Sequence, residues 1–450
     1  MIVLPNTPST PKLLNVSNGK LPQILSSKTL ALRASINVTA PENHAELAQY
    51  MLRLEQYLDA IFEDLVSQNP DKEFGELVAI ALTCVLSSLI PWKNVGLGKS
   101  TKSLRVQKPA LEWSLLTDIT ATAIAMAQTY MRLGAELTNE LIEETEPAAN
   151  GAISIEIDQK WRLVAEFYKS AILLLDFGQN FQAAIPIIEP VPPLFNPAIF
   201  ALFDKICNIG IQMSILCKSS WLNRAILSGN DTLSSSNNGV LCRVAIWVFN
   251  EVMACQNLIL EMEKSGPECV SLNYDGWREY LSIFFKYVTA YSGLFLAIEN
   301  YQQQKLGQAI GLLNFSLVAL QSKNIGDDKK RVRDRLKNRF SGRKNDKFIA
   351  SLQSVTALDI DKLVFLGLSG AMLGDLSLLF DQIVLLHLKF TKENDNLNFE
   401  AVASWKDTRA DLKWPLGAKI PVSPPKQYLP RSLSRDVSAD LATSERKIYY

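Results

Sequence analysis

The sequence predicts an all-α protein whose helices stack as one continuous, elongated solenoid. Apolar residues recur at spacings of three and four along nearly the whole chain, the mark of amphipathic helices. No run alternates apolar and polar residues between hairpin turns, so strands are expected to be minor. At most a short one is expected, within the N-terminal 35 residues. The helical stretches reach about 35 residues, and helices of that length need long antiparallel partners to cover their apolar stripes.

From His44 the residues Leu47, Tyr50, Met51, Leu54, Tyr57, Leu58, Ile61, Phe62 and Leu65 mark one helix face. Pro70 and Asp71 end it, and a second helix is expected from Phe74 to Ile90, stopped by Pro91. A Gly/Ser/Lys-rich loop follows over 92–107. Long helices are expected over 110–144 and 157–183. The segment WRLVAEFYKSAILLLDFGQNF, with Ala165, Tyr168 and Ala171, resembles part of a tetratricopeptide helix pair, although no 34-residue repeat recurs. Pro186, Pro190, Pro192, Pro193 and Pro197 form an extended connector. Helices are then expected over 198–227 and 239–264, joined by the polar loop SGNDTLSSSNNG. A helix from near Gly276 carries the stripe Trp277, Tyr280, Leu281, Phe284, Phe285, Val288, Tyr291 and Phe295. QQQKLGQ turns the chain into another helix ending near Gln321, and a last one is expected over 355–392. Prolines return from Trp414. Residues 1–430 are read as one helical domain, and 431–450 have the composition of a disordered tail.

Composition narrows the function. The chain has 450 residues, 48% of them hydrophobic, and 46 basic residues balance 46 acidic ones. No global field therefore favours nucleic acid or membrane. The six cysteines form no CxxC pair, and most lie in apolar helical stretches, as buried free thiols of a reducing compartment do. No metal or other cofactor is expected. Only two histidines are present. His44 starts a helix, and His387 sits on an apolar helix as a core or boundary residue. No Ser/His/Asp or Cys/His constellation can be assembled, so an enzyme is not expected. VGLGKSTK from Val95 resembles a phosphate-binding loop, but the position that should hold its first glycine is Lys93, and the flanking strand and helix are not expected. The first 41 residues carry no acid, yet Pro5, Pro8, Pro11 and Pro22 would break a presequence helix. The apolar run from Leu363 contains Asp375 and reads as a buried helix rather than a membrane span. A cytoplasmic location is expected.

The segment Lys329–Lys347 holds ten basic and two acidic residues. It is either a solvated tip, a contact for anionic membrane or an acidic partner through Lys329, Lys330, Arg331, Arg333 and Arg335, or an import or nucleic-acid signal. For the last, interleaved aromatics are missing, and nucleic acid is not an expected partner.

Three separated stretches resemble the BRO domain, the boomerang-shaped helical domain of ALIX-like ESCRT accessory proteins. They are KLGQAIGLLNFSLVAL from Lys305, ENDNLNFEAVAS over Glu393–Ser404, and QMSILCKS over Gln212–Ser219 together with GVLCRVAIWVF from Gly239. In the second, Ala403 stands where the family has proline. WPLGAKIPVSPPKQYLP, from Trp414, is similar to the ending of the fungal PalC type, and the short remainder after the domain also fits that type. The resemblance implies a non-catalytic adaptor. It would join a plasma-membrane pH-sensing complex to ESCRT-III, upstream of proteolytic activation of a transcription factor. It would be recruited peripherally to plasma membrane or endosome. A generic BRO-domain adaptor in endosomal cargo sorting is the alternative. The resemblance further implies that a hydrophobic patch receives the C-terminal helix of the polymer-forming ESCRT-III subunit. Carried over by position, that patch falls on Ile215, Lys218, Val240 and Val244. On spacing, Ile215 and Lys218 share one helix face, and Val240 and Val244 share another.

Overall fold

The computed structural model describes residues 4–14, 24–36, 41, 43–98, 112–146, 153–185, 193–228, 237–264, 269–320, 370–404, 414–423 and 426–433. Among these, ten α-helices dominate. They are α1 (Ser27–Ser35), α2 (His44–Gln68), α3 (Phe74–Thr83), α4 (Leu115–Glu144), α5 (Ile155–Ala183), α6 (Pro197–Ser228), α7 (Asn238–Glu263), α8 (Trp277–Gln302), α9 (Leu306–Ala319) and α10 (Gly370–Glu393). A single π-helical turn, Asn394–Asn398, closes α10.

Local chemistry sets the starts. The side chains of Ser26, Asn43, Ser114 and Ser154 accept backbone N–H groups of the first turns of α1, α2, α4 and α5, donors that would otherwise lack partners. At α3, Glu73 and Glu76 form a reciprocal capping box. Gly276, at φ 80°, turns the chain into α8, a conformation that glycine adopts without steric cost.

The helices pack in chain order. Helix α4 lies on α5, α5 on α6, α6 on α7, α7 on α8 and α8 on α9, while α2 packs on α4. This is the all-α solenoid expected from the periodicity. Helix α10 then lies back across α4, α6 and α9, so the array is closed by its last long element. The expected stripe of α2 is buried along its whole length, and that of α8 is buried apart from the partly covered Phe285.

The strands differ from expectation. Among the described residues five short ones lie inside the chain: β1 (Val85–Ser87), β2 (Val95–Leu97), β3 (Trp113–Ser114), β4 (Leu194–Phe195) and β5 (Cys269–Leu272). The described part of the N-terminal segment contributes an isolated bridge between Pro11 and Trp92. β1 pairs antiparallel with β3, and β5 pairs antiparallel with β2 and parallel with β4. β3, β4 and β5 stand just before α4, α6 and α8, so the strands gather at the end where these three helices start. Parallel pairing of β4 with β5 suits α6 and α8, which run in one direction with α7 returning between them. The second helix also stops earlier than expected, at Thr83 rather than Ile90, because Val85–Ser87 pairs with the strand leading into α4. Of the last expected helix, only the part from Gly370 lies within the described residues.

One buried carboxylate joins the first third of the chain. Asp118 on α4 is fully buried and receives five hydrogen bonds from four side chains. Arg33 of α1 donates from Nε at 3.1 Å and from Nη2 at 3.3 Å, and Tyr57 of α2 donates at 2.7 Å. Trp92 and Trp113 donate at 2.7 Å and 3.1 Å. Burial pushes the Asp118 carboxyl up, but the Arg33 charge and these hydrogen bonds outweigh it and hold the carboxyl below its ordinary value. Arg33 is equally buried and also donates to the carbonyls of Lys12 and Pro91.

Helices α6, α7 and α8 are long and apolar enough to cross a membrane by length and composition alone. In this fold much of that apolar surface is used in helix packing, with 72% of the most apolar window buried in α6 and in α8. Cys84, Cys207, Cys217, Cys242 and Cys255 are buried and Cys269 is partly so. Burial raises the thiols of Cys217, Cys242 and Cys255 to about 12, far from the range of reactive cysteines.

Candidate partner-binding face of helices α6 and α7

The four expected patch residues occupy different environments. Ile215 is half-buried on α6 and packs on the edge of the core. Lys218, one turn on, reaches toward α5, where its Nζ lies 2.6 Å from Asp158 Oδ1. The hydrogen bond from Lys218, its charge, and Arg162 beside it hold the Asp158 carboxyl below its ordinary value. Val240 is exposed in the first turn of α7. It lines a cleft of about 620 Å³ with Arg243 of the same helix, Leu296, Glu299 and Gln303 of α8, and Pro415.

Val244 is a correction. It is fully buried and cannot touch a partner in this arrangement. The i, i+4 spacing places Val240 and Val244 on the same side of α7, but burial rises along that side from the first turn to the second. The two pairs also look toward different neighbours, Lys218 toward α5 and Val240 toward α8. The basic residues Lys329, Lys330, Arg331, Arg333 and Arg335 lie outside the described residues.

The face between α6 and α7 carries an occupant that was not expected there. The C-terminal segment from Trp414 leaves α9, where the Trp414 ring meets Phe315 edge-on at 5.2 Å. It crosses α7, where Ala418 N–H donates to the Arg243 carbonyl at 3.0 Å and Lys419 Nζ lies 5.9 Å from the Trp247 ring. On α6 the side-chain amide of Gln212 pairs with both backbone groups of Ile420. Nε2 donates to the carbonyl at 3.0 Å and Oε1 accepts the N–H at 2.9 Å. Farther along, Tyr428 meets Phe177 of α5 at 5.4 Å, and Arg431 bonds Glu55 and Asp59 of α2 at 3.3 Å. The described part of this segment reaches Leu433. Gln212, Trp247 and Gly417 were missed as a set. The available signal was a buried amide in the apolar run ICNIGIQMSIL, since an amide placed there needs a partner for each of its atoms.

The expected histidine also has a defined place. His387 on α10 is buried, with Nε2 2.9 Å from Asn314 Oδ1 on α9 and Nδ1 3.4 Å from Thr391 Oγ1. Burial lowers its pKa to about 4, so it is neutral at pH 7. Among the described residues, no group of three or more His, Cys, Asp or Glu side chains could hold a metal ion.

A family model described as "Family of unknown function (DUF5355)" matches residues 113–450. No curated protein matches significantly. Among the solved structures that match, two are similar over most of this chain. One, described as showing the structure basis for endosomal targeting by the Bro1 domain, is 12% identical with a TM-score of 0.43, over 95% of this chain and 89% of that one. The other is the crystal structure of ALIX in complex with the SIVmac239 PYKEVTEDL late domain. It is 13% identical with a TM-score of 0.46, over 92% of this chain and 47% of that one.

Proposed function

The chain belongs to the DUF5355 family, whose function is unknown, and we propose that it works as a non-catalytic, BRO-domain-like adaptor for ESCRT-III, with PalC-type ambient-pH signalling as its specific role. The observation that carries this reading is the meeting of two stretches that resemble the BRO domain. The segment Glu393–Ser404 folds back onto α9, about ninety residues upstream. Gly307 N–H donates to Glu400 Oε2 at 2.7 Å, and Ala403 N–H donates to the Gly307 carbonyl at 3.1 Å. Asn394 braces the turn by bonding both backbone groups of Glu400 at 2.9 Å. Gly307 and Gly311 leave room for the Ala401 and Ala403 backbone, which an added Cβ would meet at 2.3 and 2.6 Å. The resemblance on the two stretches therefore falls on one packed unit.

The third resembling stretch supplies the binding face. Ile215 is half-buried and Val240 exposed, and each is able to take an apolar side chain of an amphipathic helix. Lys218 would exchange Asp158 for a carboxylate on the incoming helix. The test is retention of the full chain on the immobilised C-terminal helix of the polymer-forming ESCRT-III subunit. We expect the wild type to be retained. Ile215→Asp should melt at an unchanged temperature and bind at least about tenfold more weakly, as loss of an apolar anchor gives. Failure of the wild type to bind would end the ESCRT-III reading, and early melting of Ile215→Asp would assign that residue to the core. A deletion strain separates the specific role from general sorting. Growth failure confined to alkaline or lithium-rich medium supports pH signalling, and mis-sorted vacuolar cargo supports the endosomal adaptor.

A further inference from the structure

The turn that closes α10 holds two large apolar side chains in water. Leu397 is 74% exposed and Phe399 76%, although the backbone around them is held fast. Phe399 N–H donates to the Asn394 carbonyl at 2.8 Å, and Asn394 and Gly307 fix the neighbouring Glu400. Phe399 sits at φ 54°, in the left-handed region that a bulky residue adopts only under strain. Its ring meets no other aromatic ring among the described residues, so no ring packing within the fold offsets that strain. Lys392 and Asp395 flank the pair, both exposed and neither in an ion pair among the described residues. A matching hollow lies across the α8–α9 turn. The cleft of about 620 Å³ at the start of α7 is lined by apolar Val240, Leu296 and Pro415 and by one charge of each sign, Arg243 and Glu299. Arg243 is exposed and forms no ion pair among the described residues. Glu299 accepts from Gln303 at 3.5 Å and faces no paired cation there. Gln303 also lines the cleft, and four residues on, Gly307 holds Glu400. Knob and cleft therefore share one end of the molecule. They do not fill each other within one copy, since neither Leu397 nor Phe399 lines the cleft.

We propose that this end of the molecule pairs with a second copy of itself about a two-fold axis through the α8–α9 turn, each copy inserting Leu397 and Phe399 into the other's α7–α8 cleft. The charges select this occupant. The knob carries one exposed cation and one exposed anion, and the cleft carries one of each, so Asp395 faces Arg243 and Lys392 faces Glu299 across the contact. A two-fold interface is self-complementary, with every contact made twice, and it needs knob and receptor on the same patch, as here. The cleft volume lies within the range of about 300–1,000 Å³ in which proteins seat groups of this size. An anionic membrane fits less well, because Glu393, Asp395 and Glu400 outnumber Lys392 in this turn. The pairing does not rest on the ESCRT-III reading, because its partner is this chain. Val240 is common to both surfaces, so an amphipathic helix on Val240 and a second copy in the cleft exclude each other.

Equilibrium sedimentation of the full chain decides it. The wild type should pass reversibly from one-copy to two-copy mass as its concentration rises to about 100 μM, where an interface of micromolar strength is filled. A one-copy mass throughout would overturn the proposal. Phe399→Asp should weaken pairing at least about tenfold, as loss of an apolar anchor made twice gives. Its melting temperature should hold, since Asp accepts left-handed backbone more readily than Phe. Pairing of wild-type strength in this variant would refute the insertion. The charges give a second test that does not depend on Phe399. Asp395→Arg and Arg243→Asp each set like charges against one another at both contacts, so each variant alone should pair at least several-fold more weakly than the wild type. Mixed in equal amounts, the two should pair with each other, because every contact in the mixed dimer again joins opposite charges. Undiminished pairing of either variant alone, or a mixture that pairs no better than its components, would overturn the proposal.

Discussion

At the scale of single residues, the protein rests on a few buried polar groups whose partners come from far along the chain. Replacing Asp118 with Asn leaves the Arg33 guanidinium buried without its counter-charge, a loss of about 3–5 kcal/mol for a buried pair. Denaturant unfolding should show this in Asp118→Asn. The double change Arg33→Met with Asp118→Leu should recover part of the loss, since it leaves no buried charge. His387 makes a pH-dependent contribution. The unfolded chain takes up the imidazole proton below about 6.5, while the folded chain resists it until about 4. The stability contributed by the neutral ring is therefore complete above pH 6.5 and declines as the pH falls across that window. The shift corresponds to on the order of 3 kcal/mol. His387→Gln should lose less stability than the wild type between pH 7 and pH 4, by about that amount, and parallel pH profiles of the two proteins would contradict it. Little of this was legible beforehand. Arg33 and Asp118 are 85 residues apart, and spacing rules report only neighbours within a helix. The available hint was a lone acid in the apolar stretch WSLLTDITATAIAMA.

At the scale of elements, the helices were legible and the strands were not. A 25-residue helix such as α2 repeats its apolar step many times, enough for the period to stand out. The strands have two to four residues and pair across long gaps, as Val95 does with Leu272. No alternation can develop over that length, so Val85–Ser87 was absorbed into the preceding helix. The candidate face shows the same limit. Periodicity placed Val240 and Val244 on one side of α7, but depth depends on what lies over each turn, which one helix's sequence does not encode. Contact between α9 and the turn after α10 can be tested directly. Helix propensity alone favours Ala over Gly by about 1 kcal/mol. Gly311→Ala would nevertheless place a Cβ 2.6 Å from the Ala403 carbonyl oxygen, and overpacking of this kind costs about 1–3 kcal/mol. The sign is the test. A net loss of stability, with faster amide exchange at Phe399–Ala403, is expected, and a net gain would mean that the turn does not sit on α9.

At the scale of the whole molecule, each helix in the array contacts mainly its neighbours in sequence, an arrangement in which small rotations at successive interfaces add up. Two elements depart furthest from that rule. Helix α10 lies across α4, α6 and α9, and the C-terminal segment runs from Phe315 on α9 to Glu55 and Asp59 on α2. The consequence of the second is mechanical. A cord fastened at both ends of a row of hinged plates keeps the row from flexing, and the plates regain their freedom when it is cut at any point. The fastening on α7 and α6 consists of a few hydrogen bonds and shallow contacts, and that on α2 is an exposed arginine. Loosening of the cord at any one fastening would therefore be felt along the row and not at that helix alone.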